Sequence, residues 1–394
     1  MDHSTVRAQR PRDRKAQLAA VAAELFRARG FHGVGINDIA AATGVTGPAL
    51  YRHFADKQAI LAYVVLSGID DMEAATAETL TDLDAPLPAQ VQALLSGLAA
   101  QAVERREIAA LWRWEGRHLP KEDQREIRSR SSTVLTAWSK ALLGLRPELD
   151  PEDAELLCWA GLSVFGSVAV HHTTVAKKRF AALLVELALR VLHVTLPERV
   201  DEPPEAPAAS LGTPSRREQL LTAATTLFGA RGFHAVSIEE IGAAAGISGP
   251  SVYRHFPSKA ALLAAIGRRA ADRLAIAADE ALRATDEHDA LRRLVASYVH
   301  TLLHTPELVV SFSGDPVAMP DKDKADLLRI QRDYVKQWTD LLSAVRPELP
   351  AREAKITVHA ALTIANDLAR TRRVAGRVGL EAELTTVLTA VVGL

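Results

Sequence analysis

The chain of 394 residues has one cysteine, Cys158, so an intrachain disulfide is excluded, and no Cys/His grouping follows a zinc-ligand spacing. Long apolar runs are missing as well. None reaches the ~18–20 residues that cross a bilayer, and the polar, basic N-terminus has no apolar stretch behind it, so no secretory signal is expected. There is no Walker phosphate loop, no G-x-S-x-G elbow, no H-E-x-x-H and no G-x-G-x-x-G in a strand–helix–strand setting. His118 and the pair His171-His172 stand apart from any partner motif and read as structural or exposed. Together these absences predict a cytoplasmic, metal-free and cofactor-free chain that is not an enzyme and does not bind membranes.

What is present fits globular material long enough for two or more domains, with 48% hydrophobic and 24% charged residues. The net charge of −1 averages over a gradient. The first 63 residues carry nine Lys/Arg against five acids, whereas Glu198, Asp201, Glu202 and Glu205 make the middle acidic. Phosphate contact needs local positive potential rather than a basic whole, so the net charge excludes nothing.

The sequence contains itself twice. Shifted by 202 positions, Arg14–Tyr63 aligns with Arg216–Ala265 without a gap, and 27 of 50 positions are identical. Arg29-Gly30-Phe31-His32 returns as Arg231-Gly232-Phe233-His234, and Tyr51-Arg52-His53-Phe54 as Tyr253-Arg254-His255-Phe256. Further on the offset becomes 200, where Trp138 meets Trp338 and Arg146-Pro147-Glu148-Leu149 meets Arg346-Pro347-Glu348-Leu349. A period this long means a duplicated domain. Between the copies, residues 197–214 are rich in Pro, Ala and acids and read as an extended linker.

Each copy reads as helical throughout. Apolar residues recur three or four apart, as in Leu18, Val21, Ala22, Leu25 and Phe26, and strand-like alternation is missing, so an all-α fold is expected. A first helix from about Arg14 to Arg29 stops at Gly30, and its counterpart stops at Gly232. The second begins after Gly35 or Ser237. Ser237 with Glu240 makes a capping box, and Gly35 with Asp38 a weaker one. That short helix, about Ile36–Ala42, ends at Thr43-Gly44 or Ala245-Gly246. A third starts at Thr46 or Ser248 with Pro48 or Pro250 near its first position. Two short helices around a tight glycine turn predict a helix-turn-helix, whose second helix can enter the major groove.

Over about 50 residues per copy this block resembles the TetR family of bacterial repressors. The resemblance rests on Phe26, Gly30, Phe31, Ile39, Ala40, Gly44, then Gly47-Pro48-Ala49-Leu50-Tyr51-Arg52-His53-Phe54 and Lys57. In the second copy it rests on Phe228, Gly232, Phe233, Ile241, Gly246, Gly249-Pro250-Ser251-Val252-Tyr253-Arg254-His255-Phe256 and Lys259. It implies that Thr46, Gly47, Pro48, Ala49 and Arg52, with Ser248, Gly249, Pro250, Ser251 and Arg254, face DNA bases. It implies that Tyr51, His53, Lys57, Tyr253, His255 and Lys259 grip phosphates. Phenol, imidazole and ammonium are all donors suited to phosphate oxygens, and Lys57 and Lys259 sit just inside a helix start, where free N–H groups also favour an anion. The two third helices differ, so an imperfect palindromic operator is expected. Arg7, Arg10, Arg12, Arg14 and Lys15 form a basic tail that reads either as a minor-groove arm or as a solubilising extension; the second copy has only Arg216 and Arg217 there.

The expected organisation is a tail over 1–13, helix-turn-helix readers over 14–60 and 215–262, helical ligand-binding and dimerisation bundles over 61–196 and 263–394, and the linker over 197–214. Asp150-Pro151-Glu152-Asp153 is a strong helix start, and final helices are expected at about Lys177–Leu196 and Gly376–Leu394, with a further helix over Pro350–Arg373. In the family the last two long helices pair two subunits; here they imply an intramolecular pseudo-dimer, with pairing of each copy to its twin in another chain as the open alternative. From Leu196 to Arg216 an extended chain reaches ~60 Å, against ~40–50 Å across one such domain. Arg105, Trp112, Arg113, Trp114 and Arg117 in the first copy, with Phe312 in the second, are the candidate pocket for an amphipathic effector, and the resemblance makes fatty acyl-CoA a first choice. The rival is a ligand- or protein-binding regulator in which one DNA-binding copy has degenerated.

Overall fold

The computed structural model describes residues 11–82, 84–199, 214–313, 319–371 and 373–394. Arg7, Arg10, most of the linker, and the side chains of Arg12, Arg113, Trp114, Arg117 and Phe312 lie outside the described residues.

Every regular element among the described residues is helical. The first repeat runs α1 (Pro11–Arg29), α2 (Ile36–Thr43), α3 (Gly47–Tyr51), α4 (Lys57–Leu80), α5 (Leu87–Glu104), α6 (Arg106–Glu115), α7 (Lys121–Leu145), α8 (Pro151–Gly166) and α9 (Lys177–Leu192). The second repeats this order as α10 (Arg216–Arg231), α11 (Ile238–Ala244), α12 (Gly249–Val252), α13 (Lys259–Ala281), α14 (Glu287–His304), α15 (Pro306–Ser313), α16 (Asp321–Val345), α17 (Ala351–Leu368) and α18 (Leu380–Val392).

The helix-start chemistry operates as the residue types dictate. The Asp150 carboxylate accepts from Asp153 N–H at 2.8 Å and α8 opens on Pro151, where a missing N–H costs nothing. The last helices are shorter than their apolar patterns imply. α9 ends at Leu192, and residues 194–199 are irregular ahead of and through Pro197, whose ring biases the residue before it toward extended backbone. The helix expected over Pro350–Arg373 closes at Leu368, and α18 starts only after Gly379, which holds φ +79°.

The chain divides into two compact units that do not coincide with the repeats. One holds the described residues up to Cys158 with Val168–His172 and Ala176–Val185; the other holds Trp159–Ser167, Thr173–Val175 and the described residues from Glu186 onward. In the first unit the reader core of Leu18, Ala22, Phe26, Ile39, Leu50 and Phe54 is continuous with Ile60, Leu61 and Val65 of α4 and with Leu111 of α6. Full burial of a side chain such as Phe26 contributes about 1.5–3 kcal/mol. In the second unit Leu220, Phe228, Ile241, Val252 and Phe256 join Leu262 and Leu263 of α13 and Val310 of α15. Each reader is therefore packed onto its bundle through one long helix and one short one.

The two bundle interiors have diverged. Trp138 of α7 donates its indole N–H to Thr76 Oγ1 at 2.8 Å. Trp338 of α16 lies edge-on to Tyr298 with ring centroids 5.8 Å apart, and Tyr334 packs beside both. Tyr298 donates to Asn366 Oδ1 at 3.1 Å. At the 200-residue offset the first repeat has Leu98 and Val134 where the second has these two tyrosines, and both aliphatic residues are buried.

Candidate nucleic-acid interface

The turn between the two short helices depends on backbone that only glycine adopts cheaply. Gly44 has φ +67° and Gly246 φ +70°. Val45 N–H returns to Ala40 carbonyl at 3.0 Å and Ile247 N–H to Gly242 carbonyl at 2.9 Å, closing both turns alike. Ahead of α11 the capping box is complete: Ser237 Oγ accepts from Glu240 N–H at 3.2 Å and Glu240 Oε2 from Ser237 N–H at 2.7 Å. Ahead of α2 the glycine permits only half of it, with Gly35 N–H donating to Asp38 Oδ2 at 2.7 Å.

The backbone N–H of Ser237 first, and Arg231 at 2.7 Å next, hold the Glu240 carboxyl down to about 2. A carboxyl lowered in the fold adds stability that is full above its ordinary value of 4.5 and is lost as pH falls from there toward 2. Helicity measured against pH should accordingly fall less steeply over that window in Glu240→Gln than in the parent, and Ser237→Ala should cost the second unit about 1 kcal/mol at neutral pH.

The recognition helices α3 and α12 are short. Thr46 is exposed, and its hydroxyl accepts from Ala49 N–H at 3.3 Å, so it caps α3 while its own proton stays free to donate outward. Ser248 instead pairs with Ser251, oxygen to oxygen at 2.9 Å, which couples two of the candidate base readers of the second copy. Pro48 and Pro250 are exposed, and Ala49 and Ser251 are half-buried. Gly249 is buried, and a Cβ there would stand 3.1 Å from Glu239 Cγ. Its place is the close approach of α12 to α11, which removes it from the candidate base-facing residues. Gly47 is half-buried, with Asn37 Oδ1 at 3.4 Å from the equivalent point.

The four residues that end each recognition segment are displayed identically. Tyr51 is 55% and Tyr253 53% exposed, among the few large apolar side chains left in water. Arg52 and Arg254 are exposed with no ion pair among the described residues, His53 and His255 are half-buried, and Phe54 and Phe256 are buried. A cation covers each phenylalanine from the reader's own first helix: Lys15 Nζ lies 5.0 Å from the Phe54 ring centroid, and Arg217 lies 4.1 Å from that of Phe256. Arg217 also donates to the His255 carbonyl at 2.9 Å, and Arg216 to the Ala245 carbonyl at 2.8 Å, so both basic residues that open the second reader's first helix brace it.

Lys57 and Lys259 occupy a different place from the one their position at a helix start implies. Lys57 Nζ donates to the carbonyls of Phe31 at 2.7 Å and Val34 at 2.8 Å and lies 4.2 Å from the Phe31 ring centroid. Lys259 repeats this on Phe233 at 2.9 Å, Val236 at 2.8 Å and the Phe233 ring at 4.3 Å, and burial lowers its pKa. Each ammonium therefore fastens the loop between the first two helices of its reader.

Of the candidate pocket residues, Arg105 is paired with Asp71 at 2.6 Å and donates to Ser67 Oγ at 3.1 Å, while Trp112 packs half-buried against the reader core. The basic side chain that enters the first unit is the next one along. Arg106 donates to the carbonyls of Val168 at 3.1 Å and His171 at 2.8 Å and lies 5.4 Å from the Phe180 ring, with its pKa lowered by burial and then by Arg27. Its partners come from more than 60 residues away, which is why the local aromatic–arginine pattern draws attention to its neighbours instead.

Residues 18–64 and 220–266 each match the bacterial regulatory proteins of the tetR family. Both reader segments are tetR-type DNA-binding segments. The tetR family is one of transcription regulators and not of enzymes, and here its DNA-binding segment occurs twice. Two relatives are the HTH-type transcriptional activator FasR of Mycolicibacterium smegmatis, 33% identical over 152 residues, and the HTH-type transcriptional repressor KstR2 of the same species, 29% identical over 143. The FasR match covers 38% of this chain and 65% of FasR, slightly under two thirds; the KstR2 match covers 34% and 70%. A TetR-family regulator of Bordetella parapertussis, of known structure, aligns over 45% of this chain and 95% of its own at 19% identity and a TM-score of 0.42. Among the described residues no helix is long and apolar enough to cross a membrane.

Proposed function

We propose that one chain binds an imperfect palindromic operator through both readers, as a repressor released by a small amphipathic effector. The observation that carries the reading is the duplicated display of an exposed tyrosine and arginine and a half-buried histidine above a buried phenylalanine. Tyr51, His53, Tyr253 and His255 would hold phosphates. Thr46, Arg52, Ser248, Ser251 and Arg254 would face bases, with Pro48, Ala49 and Pro250 offering apolar contact to thymine methyls. Lys57 and Lys259 act as positioning residues for the loops behind.

Pairing of the two repeats within one chain is supported inside the second unit. There the end of α9 belongs to the same compact body as α18, and Arg190 donates to the Val391 carbonyl at 3.2 Å. We assign the effector to the first bundle on side-chain size alone, since at the 200-residue offset it has the smaller Leu98 and Val134 where the second has Tyr298 and Tyr334. Acyl-CoA remains the first ligand to try on the strength of the family resemblance, and an effector that prefers the DNA-free arrangement lowers operator affinity by its differential affinity.

Light scattering on the chain alone and bound to operator tests the pairing. A 42.5 kDa species that retains its mass per operator is the expected result. A chain dimer in solution, or two chains on each operator, overturns it. In a reporter strain, loss of the gene should raise expression, and a fall would make the chain an activator, as FasR is named.

A further inference from the structure

Outside both readers, two imidazoles and a carboxylate converge on the surface of the second unit. His300 and His304 are four residues apart on α14, hence on one face a turn apart, with ring centroids 4.5 Å from each other. Glu381, in the first turn of α18, lies opposite both. One carboxylate oxygen is 2.9 Å from His300 Nδ1 and the other is 2.9 Å from His304 Nε2. All three groups offer a ligand atom within 4.8 Å of the other two. Burial raises the Glu381 carboxyl, and the two imidazoles more than reverse this, so it rests below its ordinary value.

We propose that His300, His304 and Glu381 bind one late first-row divalent cation of the Zn2+ type, clamping α14 to α18. Two imidazole nitrogens and one carboxylate oxygen suit Zn2+, Co2+ or Ni2+. They do not suit Ca2+ or Mg2+, which need a shell of oxygens. Metal–ligand bonds of ~2.0–2.1 Å in a tetrahedron separate the ligand atoms by ~3.3 Å. From 2.9 Å that is a small outward step for side chains that are 63%, 59% and 42% exposed. The remaining coordination positions face water. A plain surface ion pair would need only one histidine; here each imidazole takes a different oxygen of the same carboxylate.

The site is confined to one repeat. At the 200-residue offset the first repeat has Ala100, Glu104 and Ala181, and the same helix junction is closed by Lys177 on Glu104 at 2.7 Å. One cation per chain is therefore expected. α14 also carries buried Tyr298, so a metal at His300 would steady the helix that presents Tyr298 to Asn366.

The test is titration of the untagged, chelator-stripped full chain with Zn2+ by calorimetry and with Co2+ by visible absorption. The expected result is one equivalent bound, Co2+ ligand-field bands of low coordination number, and a melting temperature raised by several degrees in Zn2+. His300→Ala, His304→Ala and Glu381→Gln should each lower affinity at least about 100-fold, judged against the affinity that coordination bonds supply. His288→Ala, an exposed histidine on the same helix, should leave it unchanged. Affinity should fall on acidification, since protons compete for the same nitrogens. Circular dichroism of the metal-free variants checks that each still folds. Binding weaker than about 100 µM, more than one equivalent of equal affinity, or equal affinity in the His300→Ala/His304→Ala double variant overturns the proposal. Operator binding is measured separately, so either reading can fail without the other.

Discussion

Replacing Tyr51 and Arg52 together by alanine should weaken operator binding by about 10²–10⁴-fold, and replacing Tyr253 with Arg254 should do the same. All four side chains are exposed and none is part of either reader core, so the melting temperature should hold. The size of the loss comes from linkage: once one reader is seated, the second finds its half-site at the high effective concentration set by a shared chain. Removing both pairs should leave only weak, sequence-indifferent binding, and the dependence on salt should become shallower with each arginine lost. Electrophoretic mobility or fluorescence anisotropy over a range of salt measures both effects. Full affinity after the second pair is removed would mean that the second reader does not touch the operator, and would favour the reading in which one copy has degenerated.

Lys57→Met and Lys259→Met should each destabilise their own unit by about 2–4 kcal/mol, because two loop carbonyls lose a charged donor that methionine cannot replace. Methionine keeps the stem over Phe31 or Phe233, so the loss isolates the ammonium. In a unit of this size it corresponds to a melting shift on the order of 5–12 °C. The salt dependence of operator binding, measured well below the transition, should not change. An unaltered melting temperature with a salt slope reduced by about one would instead make these lysines phosphate contacts.

That contrast marks where the sequence is legible. The helix ends of the readers and the start of α8 are legible because they depend on residues a few positions apart: Gly30 at φ +71°, Gly232 at φ +80°, Ser237 with Glu240, and Asp150 with Pro151 all act locally. The duplication was readable because it is a property of the string itself. Lys57 was not, since its acceptors lie 23 and 26 residues earlier and meet it only when the reader closes. Gly249 looked like part of a base-reading surface, and its burial follows from Glu239 on the preceding helix. In the bundle the chemistry is tertiary almost throughout. Arg106 finds Val168 and His171 across the unit, and His300 and His304 gain their carboxylate from 77 residues or more downstream. The two histidines draw no notice as a ligand grouping in the string, because the carboxylate that joins them is supplied by a distant helix.

The pairing of Ser248 with Ser251 has a consequence for direction. Two identical subunits on a near-symmetric site can be exchanged without effect, so such a dimer has no front or back. In this chain one recognition segment presents Thr46 and Ala49 and the other a hydroxyl pair, and every molecule carries one of each in fixed order. A half-site that favours the hydroxyl pair therefore sets which way round the protein lies, and with it which flanking gene faces which end of the molecule.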